Sequence, residues 1–478
     1  MRWLRPFRPR RRHAPAGRRI LGLTFDGRPI LEPKNAGSTL VFAAAGGGKT
    51  TCVAVPAIEC LLADPGRAFF ANDVKQGEIA AQVAPLCAIH GRKFGMVDDF
   101  AVLGKDNPFR LSLNPFGAAV EAVRNDDDDL PFIIDNICHA LIEEPKEDAK
   151  NFYWRESPRE FLAVGLNILL ARHPRLATPG GLNALLRDPR SWHRALSDAA
   201  DADDMILATG AHQILALMAD NPEHYSQHLR AALSALKIYA SGPLAEAGRS
   251  PDLTHRELIA DGWGVCFVNP ARHTDRLGAH YALHFLALMN AQLSGNVGAA
   301  DYILDEVCNA PMRDALNRVT IQRAYRARSI FIAQSRQDIV RRYGEKETAI
   351  LEENCTTKQW LKFSNFEEAE RVSKAMGDGQ AVSTGLGLSS NRNDYSSNYS
   401  SGRERLFTAD MLMKLPPDEQ IVHLPDVGFI HCKKIRQNEI GPFCFDLGAN
   451  PLEGAPLPPD PKVWLDVPPA RDAGEDAA

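Results

Sequence analysis

The residues whose types and spacing could do chemistry are few. Gly46-Gly47-Gly48-Lys49-Thr50-Thr51 stands near the amino end, and Asp305-Glu306 stands far downstream. Three consecutive glycines reach backbone angles that other residues avoid, so successive N–H groups from Ala45 to Thr51 can line a concave anion cradle. In such a cradle the Lys49 ammonium spans the outer phosphates of a nucleotide, and the Thr50 hydroxyl suits a hard metal ion. The usual pattern opens with glycine, and Ala43 holds that place here. The same glycines and lysine also suit a plain flexible loop, and what precedes and follows them argues against it.

The acidic pair supplies the complement. Asp305 is expected to hold Mg²⁺ through water and Glu306 to orient and deprotonate an attacking water. An exposed acid pair at a strand end is the bland alternative, and its coupling to Lys49-Thr50 makes that the weaker reading. Gln334 is placed to sense a terminal phosphate, since its amide both donates and accepts. Arg323, Arg326 and Arg328 precede it, and one of them could reach a neighbouring copy's phosphate in a ring.

These groups need elements to position them. The apolar run Thr39–Ala44 predicts a buried strand before the glycines, and a helical pattern runs on to Leu62. The alternation continues with strand Arg67–Asn72, helix Gly77–His90 and strand Lys93–Val97, the habit of a doubly wound, mostly parallel α/β sheet. Asp73-Val74-Lys75 falls at a strand end and receives no chemical role. From about Asn125 to Asp261 the periodicity is helical, which predicts an inserted all-α domain; His212, His224 and His228 lack a companion cluster for metal.

The sheet resumes at Gly264–Asn269, with a helix over Leu277–Leu293 and a strand over Ala300–Val307 ending in the acidic pair. Next come a helix over Pro311–Arg328, a strand over Ser329–Ala333 ending at Gln334, a strand over Lys358–Phe363 and a helix over Glu367–Met376. Thr384–Gly402, rich in Ser, Asn and Gly, reads as a mobile loop, and Gln420–Leu424 with Phe429–Ile435 as a closing strand pair. The divisions are a basic flexible arm at 1–19, a nucleotide-binding domain over 20–125 and 262–448, the all-α insert at 126–261, and a Pro-rich acidic tail at 449–478.

Composition bounds the rest. With 478 residues, 45% apolar, the chain holds two or three domains and a sizeable core. A net charge of −5 excludes a wholesale basic coat, so nucleic-acid contact must come from local surfaces: residues 1–19, and the arginines of 313–342. The arm suits an anionic lipid surface or nucleic acid, or is simply solvated. Nine scattered cysteines without a C-x-x-C pair indicate a reduced interior, and no apolar run approaches the about 20 residues of a membrane span.

The order of motifs resembles the coupling ATPases of type IV secretion, the conjugative DNA-transfer family. The resemblance rests on the glycine loop, DVKQGE at 73–78, NPF at 114–116, FYWRES at 152–157, YILDE at 302–306, FIAQS at 331–335, ENCTTK at 353–358 and LFTADMLMKLPPDEQIVHL at 406–424. It implies a RecA-like P-loop NTPase with an inserted all-α domain, assembling as a homo-hexamer around a DNA-sized channel, with ATP and Mg²⁺ as cofactors. Its roles fall on Lys49 and Thr50 for phosphate and metal, Asp305 and Glu306 for metal and water, Gln334 for sensing, and Arg323 as the arginine acting in trans.

The implied activity is ATP hydrolysis that recruits and drives a relaxase-bound single DNA strand, or an effector protein, into a secretion channel. The alternatives are an effector receptor that uses ATP as a switch, or another ring-shaped DNA translocase or helicase-type motor. Expected partners are DNA, relaxase or effector proteins and inner-membrane secretion components. The expected location is cytoplasmic, peripheral at the inner membrane through those partners or the basic arm. Two departures stand out: family members usually begin with membrane-spanning helices, and DVKQGE carries one residue more than the family's D-P-K-G-E.

Overall fold

A computed structural model describes residues 12–143, 153–308, 316, 318–388 and 395–467. Four strands come first: β1 Arg12–Pro15, β2 Ile20–Leu23, β3 Pro29–Leu31 and β4 Ser38–Ala43. The glycine loop follows β4, and its helix, Val55–Leu62, is entered through a wide first turn at Thr50–Ala54. Then β5 Arg67–Asp73, helix Glu78–Ile89 and β6 Phe94–Val97 complete the first crossover units.

Between β6 and the next strand the chain is helical, from Gly117–Arg124 through the long helix Tyr153–Arg172 to His255–Ala260. This run packs on itself and on the sheet through buried Phe161, Leu166, Trp192 and Leu196. Its last helix carries a reciprocal cap: Thr254 accepts from Glu257 N–H while the Glu257 carboxylate accepts from Thr254 N–H. The sheet returns with β7 Gly264–Val268, helix Thr274–Leu293, β8 Ala299–Leu304 and β9 Ala327–Ala333. After two further helices come β10 Cys355–Lys362, helix Phe366–Met376, β11 Asp378–Leu388, β12 Tyr395–Arg405, β13 Glu419–Leu424, β14 Gly428–Lys433, β15 Ile440–Gly441 and β16 Val463–Asp466.

Among the described residues an 11-stranded sheet runs β3-β2-β14-β13-β10-β4-β9-β8-β5-β7-β6. The block from β10 to β6 is parallel, and the remaining four strands close it antiparallel. Parallel strands are covered on both faces, which is why β4, β7 and β8 are buried at every position. The carboxyl ends of β4, β9, β8 and β5 consequently open along one edge, and the chemistry-bearing residues gather there.

Three expectations need correction. The arm of 1–19 is a strand from residue 12: β1 pairs parallel with β16, and Ala14, Val463 and Leu465 join one buried cluster. The same pairing orders part of the tail, because Val463 and Leu465 face inward on a period of two that the preceding prolines mask. Residues 1–11 and 468–478 lie outside the described residues. Second, Thr384–Gly402 falls largely in an antiparallel ladder, β11 with β12, whose bonds are main-chain and indifferent to a Ser/Gly composition; 389–394 are outside the described residues. Third, the helix expected over Pro311–Arg328 ends early: Leu316 and Arg318 are helical, but Gln322–Tyr325 is a 3₁₀ turn and β9 begins at Ala327; 309–315 and 317 lie outside the described residues.

The edge opposite the glycine loop is held by charge. Arg328 makes paired contacts to Asp301, at 3.0 and 2.5 Å, and reaches Glu32 at 3.1 Å, while Arg67 meets Asp301 at 2.7 Å. Arg19, buried, pairs with Glu32 at 3.7 Å and donates to Gln359. Burial pushes the Asp301 carboxyl up, but Arg328 and Arg67 together overcome it and leave the group below its ordinary value. Arg328 is therefore a structural residue and not a free trans-acting arginine. Asp301→Ala leaves the largely enclosed Arg328 and Arg67 with only Glu32 and Asp64 as partners and is expected to cost up to about 3–5 kcal/mol in denaturant unfolding; a loss within experimental error would show that the network carries no stability.

Candidate functional site

Gly46 and Gly48 have φ of 69° and 90°, the left-handed region where a side chain is strained. A Cβ on Gly47 would come within 2.8 Å of the Ala44 carbonyl, and Gly47 N–H donates to that carbonyl at 2.8 Å. The loop is thus a tight turn that only glycines follow. Two lysines brace its outer side: Lys434 Nζ donates to the Gly47 carbonyl at 3.2 Å and Lys362 Nζ to that of Ala45 at 3.5 Å. Ala45 and Gly46 are exposed at the rim, while Lys49 and Thr50 are buried.

Lys49 Nζ contacts Glu306 Oε1, which joins the end of β4 to the end of β8 across 257 positions of sequence. Gln334, at the end of β9 between them, donates to Glu306 Oε2 at 3.3 Å. Glu306 has φ of 50°, a left-handed turn at a non-glycine residue that costs roughly 1–2 kcal/mol. Its N–H donates to Asp305 Oδ1 at 3.0 Å. Burial raises the Glu306 carboxyl, but the bond and charge of Lys49, with Lys75 and Gln334, bring it below its ordinary value. Asp305, fully buried, is pushed up to about 6, chiefly by burial and against the pull of Lys75.

Two residues without an assigned role enter the site. Lys75 Nζ lies 3.3 Å from Glu306 and 3.9 Å from Asp305. Its environment follows from Asp73, whose carboxylate caps the next helix through Ile79 N–H and Ala80 N–H, both at 2.8 Å, and so folds Val74–Gly77 over the strand end. Burial pushes the Asp73 carboxyl up to about 7. Glu78 accepts from Thr50 Oγ1 at 3.3 Å and from Asn450 Nδ2 at 3.0 Å. The signal for both was the charged DVKQGE string at a strand end, the place where ligands of open sheets collect.

The resulting cleft, of about 230 Å³, is lined by Gly46, Gly47, Gly48, Lys49, Thr50, Thr51, Lys75, Glu78, Leu452 and Glu453. Its donors suit a magnesium-bound polyphosphate: glycine-loop N–H groups and two ammonium groups for phosphate, and the hard oxygens of Thr50 and Asp305 for the metal. Arg323 is elsewhere. It is exposed in the turn before β9, beside Gln322, whose amide donates to Ser38 at the start of β4. The six residues of β4 put it roughly 20 Å from the glycine loop of its own chain.

The arginines of 313–342 divide. Arg323 and Arg326 are exposed, whereas Arg328 is largely enclosed, Arg336 pairs with Glu345 and Glu352, Arg341 with Asp338 and Arg342 with Glu143. Arg313 lies outside the described residues.

Comparison with known proteins bears out the resemblance read from the motifs. Residues 300–417 match the family model described as the TraM recognition site of TraD and TraG. Among solved structures, the bacterial conjugative coupling protein TrwBdeltaN70 in complex with sulphate aligns at a TM-score of 0.60 and 15% identity, over 91% of this chain and 95% of that one. Plasmid coupling protein TrwB in complex with ADP and Mg²⁺ aligns at 0.59 and 15%, over 89% and 93%. VirB4 of Thermoanaerobacter pseudethanolicus aligns at 0.51 and 16%, over 87% and 96%. These likenesses give the fold, a RecA-like P-loop architecture. No curated protein matches the sequence.

The buried Asp305 makes stability depend on pH in a defined direction. Its folded pKa, about 6, exceeds the ordinary value of 3.8. Its contribution is therefore fully present below about pH 4 and lost as pH rises through about 6, a change of about 3 kcal/mol. Asp305→Asn should flatten that decline when melting is followed from pH 4 to 7 without Mg²⁺ or nucleotide. Parent and variant curves that stay parallel would contradict it.

Proposed function

From this RecA-like coupling-protein fold we propose a nucleotide hydrolase that uses ATP to move or hand over a macromolecular substrate at a type IV secretion apparatus. The observation that carries the reading is the convergence of Lys49, Glu306 and Gln334 at adjacent strand ends, beside a glycine cradle. Lys49 leaves Glu306 for the outer phosphates when nucleotide enters. Glu306, still oriented by Gln334, is then free to accept a proton from the attacking water. Mg²⁺, when bound, offsets charge on the phosphates. Thr50 and Asp305 would hold it, and Lys75 lies beside Glu306 and Asp305, at 3.3 and 3.9 Å.

Arg323 is too far from its own chain's loop to serve it, and its exposure at the opposite sheet edge fits a role in a neighbouring copy's site. That reading entails a ring, a homo-hexamer by analogy with the family. The cargo is proposed as relaxase-bound single-stranded DNA or an effector protein. A second reading, a receptor that uses ATP as a switch, draws support from the match at 300–417, since the matched region is described for TraD and TraG as a recognition site for TraM. The β11–β12 ladder lies inside that segment and apart from the central sheet. Among the described residues no helix is long and apolar enough to cross a membrane. Peripheral attachment at the inner membrane is proposed through partner proteins or the basic arm of residues 1–19.

Lys49→Ala should weaken nucleotide binding by about 10- to 100-fold. Glu306→Gln should keep binding and lower turnover by about 10²- to 10⁴-fold; parental turnover in that variant would remove Glu306 from the reaction. ATPase rate and sedimentation with and without single-stranded DNA separate the readings: stimulation with assembly supports the motor, and nucleotide-gated effector binding without a DNA response supports the receptor. Arg323→Ala should impair hydrolysis in the assembled form alone. An equal loss in a sedimenting monomer would exclude action in trans.

A further inference from the structure

A second cluster of chemistry-bearing side chains lies where the helical run meets the outer strand of the sheet. Asp99 follows β6, and His280 and His284 stand one turn apart on helix Thr274–Leu293, so both rings leave the same face. His284 packs against Phe267 of β7, with ring centroids 5.4 Å apart. One donor atom from each of the three side chains lies within 4.8 Å of the other two. Both histidines are fully buried, while Asp99 keeps 14% of its side chain exposed. β6 lies five strands from β4, roughly 24 Å, so this cluster is separate from the phosphate cradle.

The pattern of hydrogen bonds is the telling feature. The Nδ1 atom of each ring is occupied: His280 by the Tyr239 hydroxyl at 3.3 Å, and His284 by His255 Nε2 at 3.2 Å. His280 Nε2 faces Asp99 Oδ2 at 2.9 Å, and His284 Nε2 is buried with no hydrogen-bond partner. An orphaned ring nitrogen in a dry interior is unfavourable unless something fills its lone pair. Metal-ligating histidines characteristically have the other ring nitrogen fixed by an outer partner, which sets tautomer and orientation. Here Tyr239 and His255 do that for both rings and leave the two Nε2 atoms for a shared ligand.

We infer that Asp99, His280 and His284 bind one zinc-class divalent ion, which fastens the helical run to the edge of the central sheet. Zinc bonds of about 2.0–2.2 Å at tetrahedral angles separate ligand atoms by about 3.3–3.5 Å. Reaching that spacing requires Asp99 and His280 to part by a few tenths of an ångström. Asp99's exposed side leaves the fourth position for water. Two imidazoles and one carboxylate suit zinc better than magnesium or calcium, which take oxygen ligands. The ion would join Asp99 of the sheet to a helix whose histidines are braced by Tyr239 and His255 of the helical run.

Cobalt titration of the nucleotide-free full chain, with excess Mg²⁺ to occupy the carboxylates near the cradle, tests this directly. One Co²⁺ per chain should bind with the visible bands of a four-coordinate site, Zn²⁺ should displace it, and Zn²⁺ should raise the melting temperature. Asp99→Asn, at a partly exposed position, should weaken binding by at least about tenfold, and His284→Gln should abolish the bands. If His284→Gln does not fold, the parental stoichiometry and Asp99→Asn decide. No stoichiometric Co²⁺ or Zn²⁺ in the parent, or undiminished binding in Asp99→Asn, would overturn the assignment.

Discussion

The contact between the Lys49 ammonium and the Glu306 carboxylate is the constraint on which the rest of the structure depends. Two buried opposite charges far apart in sequence meet because β4 and β8 run parallel with β9 between them and end on the same side of the sheet. That arrangement also puts Gln334 within reach of the same carboxylate, because β9 ends level with its neighbours. The left-handed backbone at Glu306 turns the carboxylate back over the strand ends, at an energetic cost that the surrounding lysines offset. In this geometry the lysine is held by a carboxylate, and the proposed mechanism couples nucleotide entry to release of Glu306.

The opposite edge of the sheet is built for rigidity. Asp301 and Glu32 are enclosed by Arg19, Arg67 and Arg328, and every charge there has a partner within the chain. The contrast explains how one stretch of arginines divides. Arg328 is consumed by the network, whereas Arg323, in the turn just before β9, faces outward. The two are five residues apart and differ only in which side of the strand start they occupy. Sequence position cannot separate them, since burial and partner geometry make the difference.

The amino and carboxyl segments show the same dependence on distant partners. β1 and β16 form a short parallel pair, and the segment leading to β16 passes the phosphate cradle, where Asn450 meets Glu78 and Leu452 lines the cleft. Parallel pairing joins segments remote in sequence, so the proline-rich, charged composition of either end gave no hint of the other. The β11–β12 ladder is a comparable case: main-chain bonds form it, and composition alone suggested a loop.

What the sequence by itself determined were the features carried by local chemistry. The glycine loop needed only three residues without side chains ahead of a lysine, the strands β4, β5, β7 and β8 needed only short, mostly apolar runs, and the helical run needed only its periodicity. Lys49, Thr50, Asp305, Glu306 and Gln334 were legible because each ends a readable strand or opens a readable helix. The tertiary structure alone decided that Lys75 and Glu78 face the same cleft, that Arg328 is enclosed, and that His280 and His284 share a site with Asp99. Those outcomes depend on strand order and on which face of an element is covered, and a one-dimensional pattern of polarity contains neither.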